Sequence, residues 1–229
     1  MYCQYKMTDS VKKEYFSAFM VGVNQTMIGL PFDTIKVWMQ NHQPVWRRPL
    51  WHYYKGALPE FTVAITANCM VFPIHSYTLP YTSNSFLSGA IAGLSISPIV
   101  YAFRSYKIYQ QMSYNVTADL LLKNRGRGYL PALGREMVGF SMYFGTYHYM
   151  REYDMPVFLS GALAGLFNWG ISYPLDTIMS RQIAQDISIK EAIQSGGLYR
   201  GYGVCLLRSM IVNGCSFLVY ETVRNLFEK

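Results

Sequence analysis

The feature that most constrains this chain is a motif written three times at a nearly constant interval. Phe86-Leu-Ser-Gly-Ala-Ile-Ala-Gly93 recurs as Phe158-Leu-Ser-Gly-Ala-Leu-Ala-Gly165, and more faintly as Phe16-Ser-Ala-Phe-Met-Val-Gly22. Gly22, Gly93 and Gly165 lie 71 and 72 residues apart. A second set, Gly56, Gly128 and Gly201, is spaced by 72 and 73, and Phe72, Phe144 and Phe217 each follow it by 16. A fixed period of this kind marks copies of one supersecondary unit packed side by side. Each copy holds two landmarks and so two helices. The prediction is six helices, near 12–42, 57–78, 84–112, 130–151, 156–184 and 202–226, grouped as repeats 12–80, 82–153 and 154–227 of one domain.

Composition says where such helices would live. Apolar residues make up 51% of the 229 and charged residues only 14%. Soluble domains carry about 25% charge, so a water-facing globule is disfavoured, and an aromatic content of 16% argues against disorder. Residues 15–32, 61–103 and 155–175 contain no Asp, Glu, Lys or Arg. A spanning helix needs about 20 mostly apolar residues, so the second stretch can hold most of two, with its turn expected over 75–84. Further apolar runs at 137–150 and 209–220 are shorter. The mean hydropathy of +0.09 is too low for uniformly apolar spans, which implies polar residues set among them. Runs rather than alternation disfavour a barrel. The pairs Gly89/Gly93, Gly161/Gly165 and Ala18/Gly22 would let helices approach closely. Cys3, Cys69, Cys205 and Cys215 form no CxxC and suggest neither a disulfide frame nor a metal site. No secretory signal is legible at the amino terminus. The net charge of +7 suits nucleic acid, anionic lipid or an anionic solute alike.

Nine residues after each first-set glycine the chain reads Pro31-Phe-Asp-Thr-Ile-Lys-Val-Trp-Met-Gln40, Ala102-Phe-Arg-Ser-Tyr-Lys-Ile-Tyr-Gln-Gln111 and Pro174-Leu-Asp-Thr-Ile-Met-Ser-Arg-Gln-Ile183. Charges inside a membrane face a partner or a wet cavity, and Asp33 and Lys36, three apart, share a helical face. The motif, the threefold repeat and the six spans resemble the mitochondrial carrier family over nearly the whole chain. The resemblance implies an all-α membrane protein with six transmembrane helices in three pseudo-threefold repeats around a central cavity, plus short surface helices. In that family each acid joins the next repeat's base at the matrix gate, which implies Asp33–Lys107 and Asp176–Lys36. The third link fails, because Met179 replaces the base and Arg104 replaces the acid, so Arg104 is expected to be an uncompensated charge. Gln40 and Gln111 match the family's brace beneath each link; Ile183 does not.

The same resemblance carries the other site expectations. A cytoplasmic gate of aromatic-acid-x-x-base is met by Tyr220, Glu221 and Arg224. Tyr147 and Arg151 remain in the second repeat without an acid, and 75–79 keeps nothing. Substrate contacts fall seven and eight residues past the second-set glycines, on Val63 and Ala64, Arg135 and Glu136, Arg208 and Ser209. Arg135 and Arg208 lead, since a guanidinium offers a fixed fork to carboxylate or phosphate; the alternative is that they pair with Glu136 or Glu60 for packing. Residues 117–124 and 188–194 are expected as surface helices. Lys55 and Gly56, Gly128, and Arg200 and Gly201 resemble cardiolipin-binding stretches, where helix N-termini meet phosphate; a plain turn is the alternative.

The resemblance therefore implies a carrier and not an enzyme, with no cofactor or metal, monomeric and multi-pass in the mitochondrial inner membrane. Short carriers of this kind also resemble those encoded by giant DNA viruses, which would place it in host mitochondria. The expected cargo is a small anionic metabolite, a nucleotide or deoxynucleotide, taken by exchange; no nucleic acid polymer is expected as a partner. The Arg135-Glu136 pair equally resembles carriers of amino-acid or carnitine-type zwitterions, and the degenerate gates leave open a non-transporting receptor or scaffold.

Overall fold

A computed structural model describes residue 20 and residues 23–44, 49–112 and 126–212, apart from the side chains of 65–69 and 157–158. Among these residues all regular structure is helical. Helix α1 occupies 23–40, and a 3-10 turn (Leu50–Tyr54) leads into α2 (Ala57–Thr82). Then come α3 (Ser85–Gln111), α4 (Tyr129–Glu152), α5 (Val157–Gln185), the short α6 (Ile189–Gln194) and α7 (Tyr202–Val212). The start of the first expected helix, the end of the last, Ala18/Gly22 and the expected helix at 117–124 lie outside the described residues.

The turn between α2 and α3 is shorter than the sequence predicts. Instead of bending over 75–84, α2 runs through Pro73 and Pro80 to Thr82, and only Ser83 and Asn84 turn. Two hydroxyls add hydrogen bonds to backbone carbonyls between the prolines. Thr78 Oγ1 donates to the Ile74 carbonyl at 2.9 Å, and Ser88 Oγ reaches across from α3 to the His75 carbonyl at 2.8 Å. Ser83 adopts a left-handed φ of 51°, and the Asn84 side chain caps α3 by accepting from Phe86 N and Leu87 N.

Glycine sets the packing of α3 on α4. A Cβ at Gly89 would sit 2.5 Å from the Phe140 carbonyl oxygen, and one at Gly93 would sit 2.3 Å from that of Glu136. The two backbones touch as small-xxx-small spacing allows. Gly161 and Gly165 differ: a Cβ added at either would meet no atom within 4 Å among the described residues. A core of Val63, Val71, Ala92, Ile96, Val100 and Phe144 fills the space between α2, α3 and α4.

Gly56, Gly128 and Gly201 precede α2, α4 and α7 with φ of 87°, 81° and 87°, a left-handed conformation that other residues adopt only with strain. Each lies against the odd-numbered helix of another repeat. A Cβ added at each would lie near the backbone oxygen of Lys107 (3.5 Å), Met179 (3.3 Å) and Lys36 (3.4 Å), which are the base positions of the three motif copies.

The outside of the bundle is apolar. Leu58, Leu87, Leu130, Leu166, Phe167 and Met210 all face outward, whereas charged residues are buried inside. By length and composition one helix among the described residues, Ser85–Gln111, is apolar enough to cross a membrane by itself. Ser188–Gln194 is the expected surface helix. Its capping box is complete: Glu191 N donates to Ser188 Oγ, and Ser188 N donates to the Glu191 carboxylate. The Ser188 amide holds that carboxyl below its ordinary range, with the Ser188 hydroxyl adding to the effect. The box is therefore intact above the usual glutamate pKa and loosens as pH falls through the lowered value.

Candidate functional site

The carboxyl-terminal ends of α1, α3 and α5 converge, and backbone caps tie them together. Trp38 Nε1 donates to the Gln111 carbonyl at 2.8 Å, and Arg181 Nε donates to the Gln40 carbonyl at 2.9 Å. Residues 38 and 181 occupy the same register position, as do 40 and 111. Arg181 is fully buried, and its Nη1 also donates to the carbonyls of Ala192 and Gly196 and to Ser195 Oγ. The guanidinium thus anchors α6 and its exit turn to α5.

Just above these caps lies a ring of charge. Lys107 Nζ is 3.0 Å from Asp33 Oδ2, and Lys36 Nζ is 2.7 Å from Asp176 Oδ2. Each acid meets the base of a different repeat, as the family pattern implies. Gln40 Nε2 donates to Asp176 Oδ2 at 2.9 Å, while Gln111 Nε2 donates to Thr34 Oγ1 at 2.9 Å. Ile183 packs with Met179 in an apolar cluster at the third position.

Arg104 corrects the sequence expectation of an uncompensated charge. It stands at the acid's register yet faces two acids, Asp176 at 3.6 Å and Glu136 at 3.5 Å. Partners for a charge depend on which elements approach, and α4 and α5 supply both. The two leading arginines are not free either. Arg208 Nε is 2.7 Å from Asp33 Oδ1, with Glu60 at 3.7 Å. Arg135 Nη1 contacts Glu136, its Nε lies 3.6 Å from Asp176, and its guanidinium lies 5.0 Å over the Trp169 ring. Glu60, off the expected contact positions, takes Lys107 at 2.7 Å.

Among the described residues the network holds five bases (Lys36, Arg104, Lys107, Arg135, Arg208) and four acids (Asp33, Glu60, Glu136, Asp176), a surplus of one positive charge. Two adjoining cavities open on it. One of about 100 Å³ is lined by the ring residues together with Arg208 and Trp169. The other, about 190 Å³, is lined by Val63, Arg135, Glu136, Phe140 and Asn168, and shares Arg104 and Trp169 with the first. Ala64 and Ser209 line neither.

Trp169 is the contact that sequence reading missed. Two cations lie over its ring, Lys36 at 4.6 Å and Arg135 at 5.0 Å, and the ring attracts both. It sits four residues after Gly165 inside an uncharged run, where nothing distinguishes it from a packing aromatic. No cluster of three metal-ligating side chains occurs among the described residues.

At the other end of the bundle, Tyr147 packs edge-on to His148, and exposed Arg151 donates to the Met155 carbonyl at 2.7 Å. Tyr220, Glu221 and Arg224 lie outside the described residues. His75, in the register of Tyr147, stacks on Phe144 at 3.8 Å. Of the candidate lipid contacts, Lys55 lies over the Trp51 ring at 4.5 Å, and Arg200 contacts His42 Nδ1. Partial burial, and then the charges of Arg200 and Arg181, hold His42 below its ordinary pKa.

Residues 155–229 match the family described as mitochondrial carrier protein. Similarity to curated proteins runs along most of the chain. Mitochondrial substrate carrier family protein L of Dictyostelium discoideum is 27% identical, covering 97% of this chain and 98% of its own. Mitochondrial arginine transporter BAC2 of Arabidopsis thaliana is 25% identical over 97% and 94%. Mitochondrial ornithine transporter 1 of Schizosaccharomyces pombe is 26% identical over 91% of each.

Proposed function

This chain is a relative of the mitochondrial carrier proteins, and on that premise we propose that it moves a small solute bearing both a carboxylate and a cationic nitrogen across a mitochondrial membrane. In this reading the three repeats supply six membrane-spanning helices around the two cavities, and the membrane is the inner one. The closed end is the ring of Asp33, Lys107, Lys36 and Asp176. Bound solute shifts the balance between two states, each closed at one end, by binding them unequally. The stretches at Gly56, Gly128 and Gly201 are where a lipid phosphate such as that of cardiolipin would dock.

The observation that carries the cargo class is the oppositely charged wall of the 190 Å³ cavity: Glu136 beside Arg135 and Arg104, with Trp169 in the same lining and Val63 as an apolar patch. A solute with both charges finds a partner for each. Relatives named for arginine, ornithine, glutamate and glycine, and carnitine fit one chemical description, a carboxylate and a cationic nitrogen in one molecule. A nucleotide, the cargo that the sequence alone favours, would set several negative charges among four carboxylates for a surplus of one base. Amino acids therefore replace nucleotides as the first choice.

Purified protein in liposomes tests this. Labelled amino acids such as arginine or ornithine are expected to enter, and unlabelled amino acids or carnitine to compete while nucleotides do not. Competition by nucleotides alone overturns the cargo. Absence of uptake across the panel, with the protein folded, overturns transport in favour of a carrier-like scaffold.

A further inference from the structure

Four of the five bases in the network are held tightly. Lys36, Lys107 and Arg208 each have a carboxylate oxygen at 2.7 Å, and Arg135 is closer still to Glu136. Arg104 is different. Its two carboxylates stand at 3.5 and 3.6 Å, beyond good hydrogen-bond length. It makes no hydrogen bond among the described residues. Its side chain is 21% exposed, the most open of the five, and it borders both cavities. A guanidinium carries five N–H donors in a planar fork that matches a carboxylate. Here the fork lines both cavities, and its neighbours barely touch it.

We propose that Arg104 is the residue that docks the carboxylate of the cargo. This rests on the reading of the protein as a carrier of solutes with both charges, and it moves Arg104 from the gate to the binding site. The position explains the sequence anomaly. Where the first and third repeats place Asp33 and Asp176 to link helices, the second places a base. Asp176 already has Lys36 and Glu136 already has Arg135, so Arg104 can turn to an incoming carboxylate without leaving either acid unpaired. The cationic end of the same molecule would then lie toward Glu136 and Trp169, which adjoin Arg104 in the larger cavity.

The experiment compares wild type, R104Q and R104K in liposomes, using a labelled amino acid and its decarboxylated amine as competitor. In R104Q the KM for the amino acid is expected to rise about tenfold or more, while the Ki of the amine stays within about twofold of wild type. R104K keeps the charge but not the fork, and falls between. An unchanged KM, or a KM and Ki that move together, overturns the assignment. Binding is read separately as the rise in melting temperature of purified protein on adding the amino acid. A rise in wild type that R104Q lacks supports the anchor even if uptake is absent, the result that would sink transport alone. An equal rise in both overturns the anchor and leaves transport standing. A wild type neither stabilised by amino acids nor moving them overturns both.

Discussion

Replacing Asp176 by asparagine is expected to abolish transport and to lower the melting temperature of the purified protein more than any other single charge removal. The carboxylate is 4% exposed, and three bases converge on it: Lys36 at 2.7 Å and Arg104 and Arg135 at 3.6 Å, with the Gln40 amide at 2.9 Å. Truncating one member of a buried pair destabilises by about 3–5 kcal/mol, because the partner stays buried without compensation. Here Lys36 loses its only carboxylate among the described residues, and the network's excess of bases grows from one to two. D176E, which retains the charge on a longer stem, should recover part of the melting temperature. A D176N protein that melts and transports like wild type would mean that the ring holds nothing together.

Gly93→Leu is expected to prevent assembly of the bundle, and Gly93→Ala to weaken it severely. The obstacle is backbone: a Cβ would approach the Glu136 carbonyl oxygen to 2.3 Å and its carbon to 2.7 Å. No rotamer relieves such a clash, so α3 and α4 must separate. Overpacking in adaptable cores costs about 1–3 kcal/mol, and a contact between two rigid backbones belongs at or beyond the top of that range. Because the displaced carbonyl belongs to Glu136, the wall of the larger cavity moves too, and on the proposed cargo site the KM should rise in any Gly93→Ala protein that folds. Gly165→Ala is the control. It has the same motif position in the next repeat, yet a Cβ there would meet no atom within 4 Å among the described residues, so melting and uptake should be near wild type. Equal behaviour of the two variants would contradict close packing of α3 on α4.

These glycines also show what the sequence discloses. Spacing at 71–73 residues singled out Gly56, Gly128 and Gly201, and the left-handed φ at each gives a physical reason for that spacing. Registering the motif copies on the family pattern led to the contacts of Asp33 with Lys107 and of Lys36 with Asp176. The pattern was silent where this chain departs from it. Arg104 looked surplus because its partners come from α4 and α5, which no local rule brings near it. For Arg135 and Arg208 the alternative of pairing with Glu136 and Glu60 is what the contacts show, with Asp33 as a further partner of Arg208. Gly161/Gly165 and Gly89/Gly93 are nearly identical strings, yet among the described residues only Gly89/Gly93 meets a neighbouring backbone closely. The α2–α3 turn was expected over 75–84, whereas α2 runs on through Pro80 to Thr82 and only Ser83 and Asn84 turn.

The central claim is that the ends of α1 and α5 are packed shut in one state and must part for a solute to cross. Asn41 Nδ2 donates to Ser180 Oγ at 2.8 Å across that junction. The direct measurement replaces Asn41 and Ser180 by cysteine in a protein whose own four cysteines are changed to serine, and joins the pair with a short reducible bis-thiol reagent. The account predicts that the link forms without solute, forms more slowly with saturating amino acid, stops uptake into liposomes, and releases it again on reduction. A linked protein that transports at the unlinked rate, or a pair that cannot be linked at all, would contradict it.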